Sequence, residues 1–394
     1  MNHLLISRFY LVCFTLFVLF ASASSIKVIT QADVVAQIRT QNLDDFLTGK
    51  TAKYIENQYD KQFSLKQFGI NFWAAFDYLL FNEGKKGLVI GNHGWMFTIE
   101  ELRAGITAES SRNKNLSLIS QTKRHLSNQG IELLVVPVPA KARVYAEFLS
   151  NKVDSPLIKT LYDYSLDTLK SYKIAVTDSI TALRHNYQNK PLFLRTDTHW
   201  TPEGAQLVAN QVARDVRNNF HKTLLPLKPF ITEKTSQQPY KGDLLKFLPI
   251  DPWFEQVISY TDEITLYETY AVQPKELDSS IDALFMDVDT VSVVLVGTSY
   301  SANSRWNFAG ALKQALSTDV INLAEEGNGP FFPMVEFLRD QLPQLPDVKL
   351  VIWEIPERYL LVDYPDAYNA FSKLESTERE ASGYEVAVYG DNKL

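Results

Sequence analysis

Cysteine is almost absent from this chain: the single one, Cys13, lies inside an apolar N-terminal run. The remaining residues therefore form no internal disulfide and no thiolate-ligated metal site. Histidine is scarce as well. Outside the segment around His199, the residues His93, His125, His185 and His221 show no ligand spacing, so no metal is expected. The chain has no glycine-rich phosphate loop, and no cofactor is expected. Positive charge is in deficit, with 39 Lys and Arg against 46 Asp and Glu, a net −7. No basic field draws the protein towards nucleic acid, although a local basic groove for an acidic polymer is compatible with that balance. No internal repeat is visible.

What the N-terminus does have is an export address. Residues 4–23 are nearly all apolar, interrupted by Ser7, Arg8 and Thr15, and Ala21-Ser22-Ala23 offers a small-residue cleavage site. The run is also nearly long enough to span a bilayer. A cleaved signal and a retained anchor both place the following residues outside the cytoplasm. Scarce cysteine in an exported chain of this size fits a bacterial periplasm. Cys13 lacks small residues just before it, which argues against a lipoprotein.

The remaining sequence reads as globular, with 45% apolar and 22% charged residues. Residues 1–24 are taken as the signal or anchor, 25–85 as a helical region, 86–365 as the main domain and 366–394 as a tail. Residues 87–97 look like a hairpin with Gly, Asn and His at its turn. A helix over 111–128 ends at Gly130, followed by a buried strand over 131–138. A helix near 158–171 and strands near 173–176 and 192–194 come next. Thr201-Pro202-Glu203-Gly204 opens another helix, with threonine as N-cap and proline in the first turn. Strands near 320–323 and 349–353 flank a helix over 330–341. This alternation predicts an α/β fold built on a doubly wound, mostly parallel sheet. The Tyr- and Pro-rich stretch of about 224–287 breaks the rhythm and reads as an insertion that forms part of a cleft.

The chemistry points to two segments. Val291 to Val296 is a buried-strand run that stops at Gly297, with Thr298, Ser299 and Ser301 clustered behind it and a helix expected over 303–316. A glycine turn there presents the next side chains at the carboxyl edge of the sheet, where open α/β folds bind ligands. A helix N-terminus beside a serine favours developing negative charge. About a hundred residues upstream lies Thr196-Asp197-Thr198-His199-Trp200. On an extended backbone Asp197 and His199 point the same way, so the acid can orient the imidazole and the imidazole can take a serine proton. Thr298 is expected to shape the turn and Ser301 to cap the following helix.

Taken in order, these segments resemble the SGNH-hydrolase-like domain of the alginate O-acetyltransferases AlgJ and AlgX. The resemblance rests on Gly297-Thr298-Ser299-Tyr300-Ser301, on Asp197-Thr198-His199-Trp200-Thr201 with Gly204, and on Trp353-Glu354-Ile355-Pro356-Glu357-Arg358. Gly91 to Phe97 and Val136-Pro137-Val138-Pro139-Ala140-Lys141 with Tyr145 add to it. As in that family, and unlike ordinary SGNH hydrolases, the Asp-x-His pair precedes the serine. Only about 35 residues follow Arg358, too few for the carbohydrate module of AlgX, so the layout is closer to AlgJ.

The resemblance implies an SGNH-hydrolase-like, flavodoxin-like fold and periplasmic O-acetyl transfer to a polysaccharide. Ser299 would be nucleophile, His199 general base and Asp197 the orienting acid, with an acyl-serine intermediate. A membrane-bound acyltransferase would supply the acetyl group, alongside other exopolysaccharide assembly proteins. Oxyanion support is expected from the Ser299 N–H and from Asn328, with Tyr300 beside them. Lys141, Arg143 and Arg305 are candidates for a sugar carboxylate, and Trp200, with Trp95 and Trp306, for stacking on sugar or packing in the core. Glu354 and Arg358 are expected to form a structural ion pair. An esterase or deacetylase would use the same serine and differ only in letting water attack second. A non-catalytic polysaccharide-binding subunit is the third reading, and the intact Ser, His and Asp set argues against it.

Overall fold

The computed structural model describes residues 2–149, 155–184, 190–220, 227–258, 260–272 and 291–381. His185, His221 and parts of the expected insertion and tail lie outside the described residues. The chain divides into two compact units, Met1–Lys85 with Lys246–Ser259, and Lys86–Leu245 with Tyr260–Leu394. The stretch read as one insertion is thus shared between both units.

The first unit is helical, with helices at Asn2–Ile29, Ala32–Arg39, Leu43–Leu47, Lys50–Gln62 and Ser64–Phe81. Ile6–Ile29 is the only helix among the described residues that is long and apolar enough to cross a membrane. It packs beside Lys50–Gln62, where Ser25 Oγ and Tyr59 Oη share a hydrogen bond of 2.9 Å. On helix Ser64–Phe81, Asn71 and Ala75 are buried, and the Asn71 amide donates to the Pro249 carbonyl. Asn82, in the left-handed region at φ 53°, ends that helix.

The second unit has nine strands among the described residues. They are β1 Leu88–Ile90, β2 Met96–Thr98, β3 Glu132–Val138, β4 Ala175–Val176, β5 Phe230–Tyr240, β6 Asp262–Ala271, β7 Val293–Val296, β8 Val320–Asn322 and β9 Leu350–Pro356. Five of them form one parallel sheet in the order β4-β3-β9-β7-β8. The chain leaves β3 outward to β4 and leaves β7 outward to β8, and β9 fills the gap. Such a reversal is a topological switch point, where α/β sheets place ligands.

Alternate residues of these strands enter two separate cores. Leu134, Val136, Val293, Leu295 and Ile352 join one, and Leu133, Val135, Val294, Val296 and Trp353 the other. Helices therefore cover both faces, which is why β7 is apolar at every position rather than alternating. The expected SGNH-like α/β layering is what the chain forms. Helix Pro202–Asn219 begins as the sequence indicates, with Thr201 Oγ1 accepting from the Gly204 N–H at 3.2 Å.

Three local expectations change. Residues 192–194 are not a strand of the sheet; they belong to a loop closed by a single antiparallel bridge between Phe193 and Trp200. The expected helix over 303–316 is broken into a turn at Ser299–Ala302, a 3-10 turn at Ser304–Trp306 and a helix at Phe308–Leu316. Asn303 is extended and Asn307 is left-handed at φ 52°, so no continuous ladder can form. The expected tail begins with a helix, Pro365–Ala381, and Phe371 on it is buried.

Candidate active site

The turn that carries Ser299 follows β7 directly. β7 pairs with β9 so that Val296 lies opposite Trp353, which sets Gly297 beside Glu354. A Cβ on residue 297 would come within 2.5 Å of Glu354 Oε2. Glycine is needed there for this close approach and not for an unusual φ. The Glu354 carboxylate is fully buried and accepts from the Thr298 N–H at 2.8 Å, Thr298 Oγ1 at 3.0 Å and Ser301 Oγ at 3.0 Å. Burial pushes its pKa up to about 7 against the pull of those donors. Ser301 is thus a buried donor to Glu354 and not a helix cap; Thr298 takes the cap role for the short turn. Ser299 begins that turn, and its N–H has no hydrogen-bond partner among the described residues. With only four residues in the turn, the available positive end is this local N–H and not the dipole of a long helix.

The loop that carries His199 has no strand to hold it, and three charged side chains replace the ladder. Lys141 Nζ, buried at the carboxyl end of β3, donates to the carbonyls of Leu194 at 3.0 Å, Arg195 at 3.3 Å and Asp197 at 2.6 Å. Asp262 accepts from the Arg195 and Thr196 N–H groups, each at 2.7 Å. Asp243 accepts from the Thr198 N–H at 2.9 Å and from its hydroxyl at 2.8 Å. Gly204 and Gly242 allow the close packing: a Cβ would meet the Leu192 carbonyl oxygen at 2.3 Å and that of Thr196 at 2.1 Å, respectively.

Within this frame His199 bridges the other two groups. Its Nε2 lies 2.7 Å from Ser299 Oγ and its Nδ1 2.6 Å from Asp197 Oδ1. Asp197 is fully buried, and Oδ1 also accepts the His199 N–H at 2.8 Å. Oδ2 accepts from Tyr240 Oη at 3.0 Å and from the Asp243 N–H at 2.8 Å. Burial opposes the charge on Asp197, but the hydrogen bonds and the adjacent imidazole hold its pKa below the usual carboxylate range. The imidazole is stacked on Trp306 with centroids 5.1 Å apart and planes at 19°. An acid that accepts from Nδ1 fixes the tautomer in which Nε2 is free to take the serine proton. Asp197, His199 and Asp243 also place ligand atoms within 4.8 Å of one another. Both imidazole nitrogens are already engaged in hydrogen bonds, so a cation there would have to displace the Asp197 contact.

Several residues expected near substrate have other partners. Trp200 is fully buried and donates from Nε1 to the Tyr300 carbonyl at 3.1 Å, so it packs the core. Tyr300 is buried too; its hydroxyl donates to the Thr198 carbonyl and accepts from Arg358 Nη1 at 3.1 Å, tying the two loops together. Lys141 holds the His199 loop through its carbonyls. Arg143 pairs with Glu357 and donates to the Ile158 carbonyl at 2.6 Å, on the wall of a cavity of about 500 Å³ that none of the three triad residues lines. Asn328 turns its amide to Glu325 Oε2 at 2.6 Å. Trp95 stacks on Tyr145 with centroids 4.2 Å apart and is buried. The expected Glu354–Arg358 pair does not form: Arg358 lies against Glu101 and Glu100 at 3.6 and 3.5 Å. Arg305 is exposed on the 3-10 turn next to Trp306. Tyr240, Asp243 and Asp262 were not legible as site residues, because Tyr240 and Asp262 reach the loop from the ribbon of β5 and β6 that interrupts the α/β rhythm, and Asp243 from the 3-10 turn Asp243–Phe247 that follows β5.

A serine at the carboxyl edge of a parallel sheet, bonded to a His–Asp pair from a separate loop, defines an SGNH-hydrolase-like acyl-transfer domain. The chain belongs to the family described as the SGNH hydrolase-like domain, acetyltransferase AlgX, whose model matches residues 88–357. It is 41% identical over 317 residues to the probable alginate O-acetylase AlgJ of Pseudomonas aeruginosa, covering 80% of this chain and 81% of that protein. Against AlgJ of Pseudomonas putida it is 42% identical over 324 residues, covering 82% of each chain. The solved O-acetyltransferase domain of Pseudomonas putida AlgJ superposes with a TM-score of 0.63 at 35% identity, over 73% of this chain and 99% of that one. Pseudomonas aeruginosa AlgX shares the fold, with a TM-score of 0.54 at 24% identity over 70% of this chain and 66% of that one.

Proposed function

We propose that this protein transfers acetyl groups to hydroxyls of an alginate-like exopolysaccharide through an acetyl-Ser299 intermediate. The observation that carries the reading is the continuous Ser299–His199–Asp197 hydrogen-bond chain, at 2.7 and 2.6 Å. In the first step Ser299 Oγ attacks the donor carbonyl and its proton passes to His199 Nε2. The donor alcohol leaves with that proton. In the second step a sugar hydroxyl attacks the acetyl-serine and gives its proton to His199, and the new sugar ester departs as Ser299 regains its proton. Asp197 stabilises the imidazolium in both steps, and the unpartnered Ser299 N–H is the supporting donor for the oxyanion. Arg305, exposed beside Trp306, is the remaining candidate for a sugar carboxylate.

The names of the AlgJ relatives support the acetyl group and the alginate-type acceptor. The apolar Ile6–Ile29 helix supports placement outside the cytoplasm, in the periplasm, with that helix as tether. Acetyl-CoA is not expected in that compartment, so the donor is an acetylated carrier or a membrane-bound acyltransferase. The test is incubation of the full chain in detergent with an activated acetyl ester and mannuronate oligosaccharides, read by mass spectrometry. Acetylated oligosaccharide supports transfer. Free acetate with no acetylated sugar at any acceptor concentration makes the enzyme an esterase.

A further inference from the structure

Helix Ser64–Phe81 carries more apolar surface than its own unit covers. Phe68, Phe72, Trp73, Phe76, Leu79 and Leu80 are between 37% and 65% exposed. At 3.6 residues per turn they fall on one arc of about 140°. The helix has only two charged residues, Lys66 and Asp77, and both sit at the margin of that arc. The side adjoining Phe68 is fixed: Asn71 and Ala75 are buried, and Phe254 packs on that end of the arc, with its centroid 5.7 and 6.1 Å from Phe68 and Phe72. Trp253 extends the exposed surface. It meets Phe68 edge-on at 6.0 Å and is itself 58% exposed.

Contiguous surface of this size marks a contact, and three features identify the contact as lipid. The same compact unit contains the membrane-length helix Ile6–Ile29, so the arc is carried beside an anchor. The arc is made of Phe, Trp and Leu, the side chains that interfacial helices bury below the headgroups. Its charges are confined to the edge, as in helices that lie in the plane of an interface. We propose that helix Ser64–Phe81 lies in the lipid–water interface of the membrane entered by Ile6–Ile29, with its aromatic arc among the acyl chains and Lys66 and Asp77 at the headgroups. The anchor unit would then hold the membrane at two places, along one helix crossing it and along a second lying on it. The inference is independent of the acetyl-transfer reading.

The test uses the full chain in lipid nanodiscs of phosphatidylcholine and phosphatidylglycerol, with and without bromine on the acyl chains. Trp95, Trp200, Trp306 and Trp353 are buried, which leaves Trp73 and Trp253 to report contact with bromine. The emission lost in Trp73→Phe isolates the Trp73 signal. That signal should drop at least about twofold in brominated discs and resist aqueous iodide. The double variant Phe72→Glu, Leu79→Glu should lose the bromine effect while keeping its helical circular dichroism. Emission that ignores bromine and is quenched by iodide would place the arc in water, free or awaiting a protein partner, and overturn the proposal. Unchanged bromine quenching in the double variant would overturn it as well.

Discussion

Lys141 Nζ stands 2.6 Å from the carbonyl oxygen of Asp197, under the loop that carries the base. With the Leu194 and Arg195 carbonyls, this uses all three ammonium protons. Replacing Lys141 by Met leaves three carbonyls without that donor and frees the loop to shift. A displacement on the order of 1 Å costs about 10²-fold in rate. We expect the acetylation of Ser299 by p-nitrophenyl acetate to slow by that factor, while the far-ultraviolet circular dichroism stays unchanged. Wild-type rate in Lys141→Met would remove Lys141 from its positioning role.

The same lysine sets an alkaline limit. Burial lowers its pKa to about 8, opposed by Glu101, Asp197, Asp262 and Asp243. Above that pH it loses one of its three donor protons and its charge. The single-turnover acetylation rate of the wild type should therefore fall as pH rises through about 8, with no matching loss of fold. A rate that keeps rising to pH ~10, the ordinary lysine range, would contradict this.

Glu354 gives the fold an acid-side signature. Its folded pKa, about 7, lies above the ordinary glutamate value of 4.5. Between those values the folded state keeps a proton that the unfolded state has lost. Stability contributed by this group is full below pH 4.5 and is lost as pH rises through about 7, a change of roughly 3 kcal/mol. Denaturant melts of the wild type and of Glu354→Gln, compared across this range, isolate the effect. The variant should lack this component of the slope, and parallel profiles would refute the assignment.

Gly297→Ala tests the contact between β7 and β9. The new Cβ would meet Glu354 Oε2 at 2.5 Å and Glu354 Cβ at 2.9 Å. Backbone must move, at a cost of about 1–3 kcal/mol, and the nucleophile turn moves with it. We expect a lower melting temperature together with slower acetylation. A variant with both properties unchanged would show that the turn tolerates the intrusion.

The proposed nucleophile and base, which the structure brings within hydrogen-bond distance, both sit on local sequence signals. An apolar run ending at Gly297 marks the strand edge, and Asp197 and His199 are two residues apart. The supports were not readable, since they depend on tertiary contact. Lys141 and Trp200 looked like substrate contacts because charge and aromaticity are ambiguous until burial is known. The base loop was taken for a strand on three apolar residues, Leu192 to Leu194, which pack in the core without joining the sheet. Tyr240, Asp243 and Asp262 lie 43 to 67 residues from their loop partners, a separation no local pattern reveals. The break at Asn303 and Asn307 was hidden because the apolar spacing continues across it into Phe308–Leu316.

The hydrogen-bond chain itself is tested by its acid. Asp197→Asn keeps the shape of the loop but removes the acceptor that orients His199 Nδ1. By analogy with other such triads the loss is about 10⁴-fold in kcat. Tyr240→Phe removes one of the donors to Oδ2 and leaves the Asp243 N–H in place, so the loss should be far smaller. Equal losses in the two variants would show that Asp197 acts only as a structural link.

The most direct measurement is peptide mass spectrometry of the protein after brief exposure to an activated acetyl ester without acceptor. The account predicts a single acetyl mark on Ser299, absent in Ser299→Ala, strongly reduced in His199→Ala, and discharged when oligosaccharide is added. Ser301→Ala should keep the mark, because that hydroxyl is committed to Glu354. A mark that persists in Ser299→Ala and disappears in Ser301→Ala would contradict the assignment of the nucleophile.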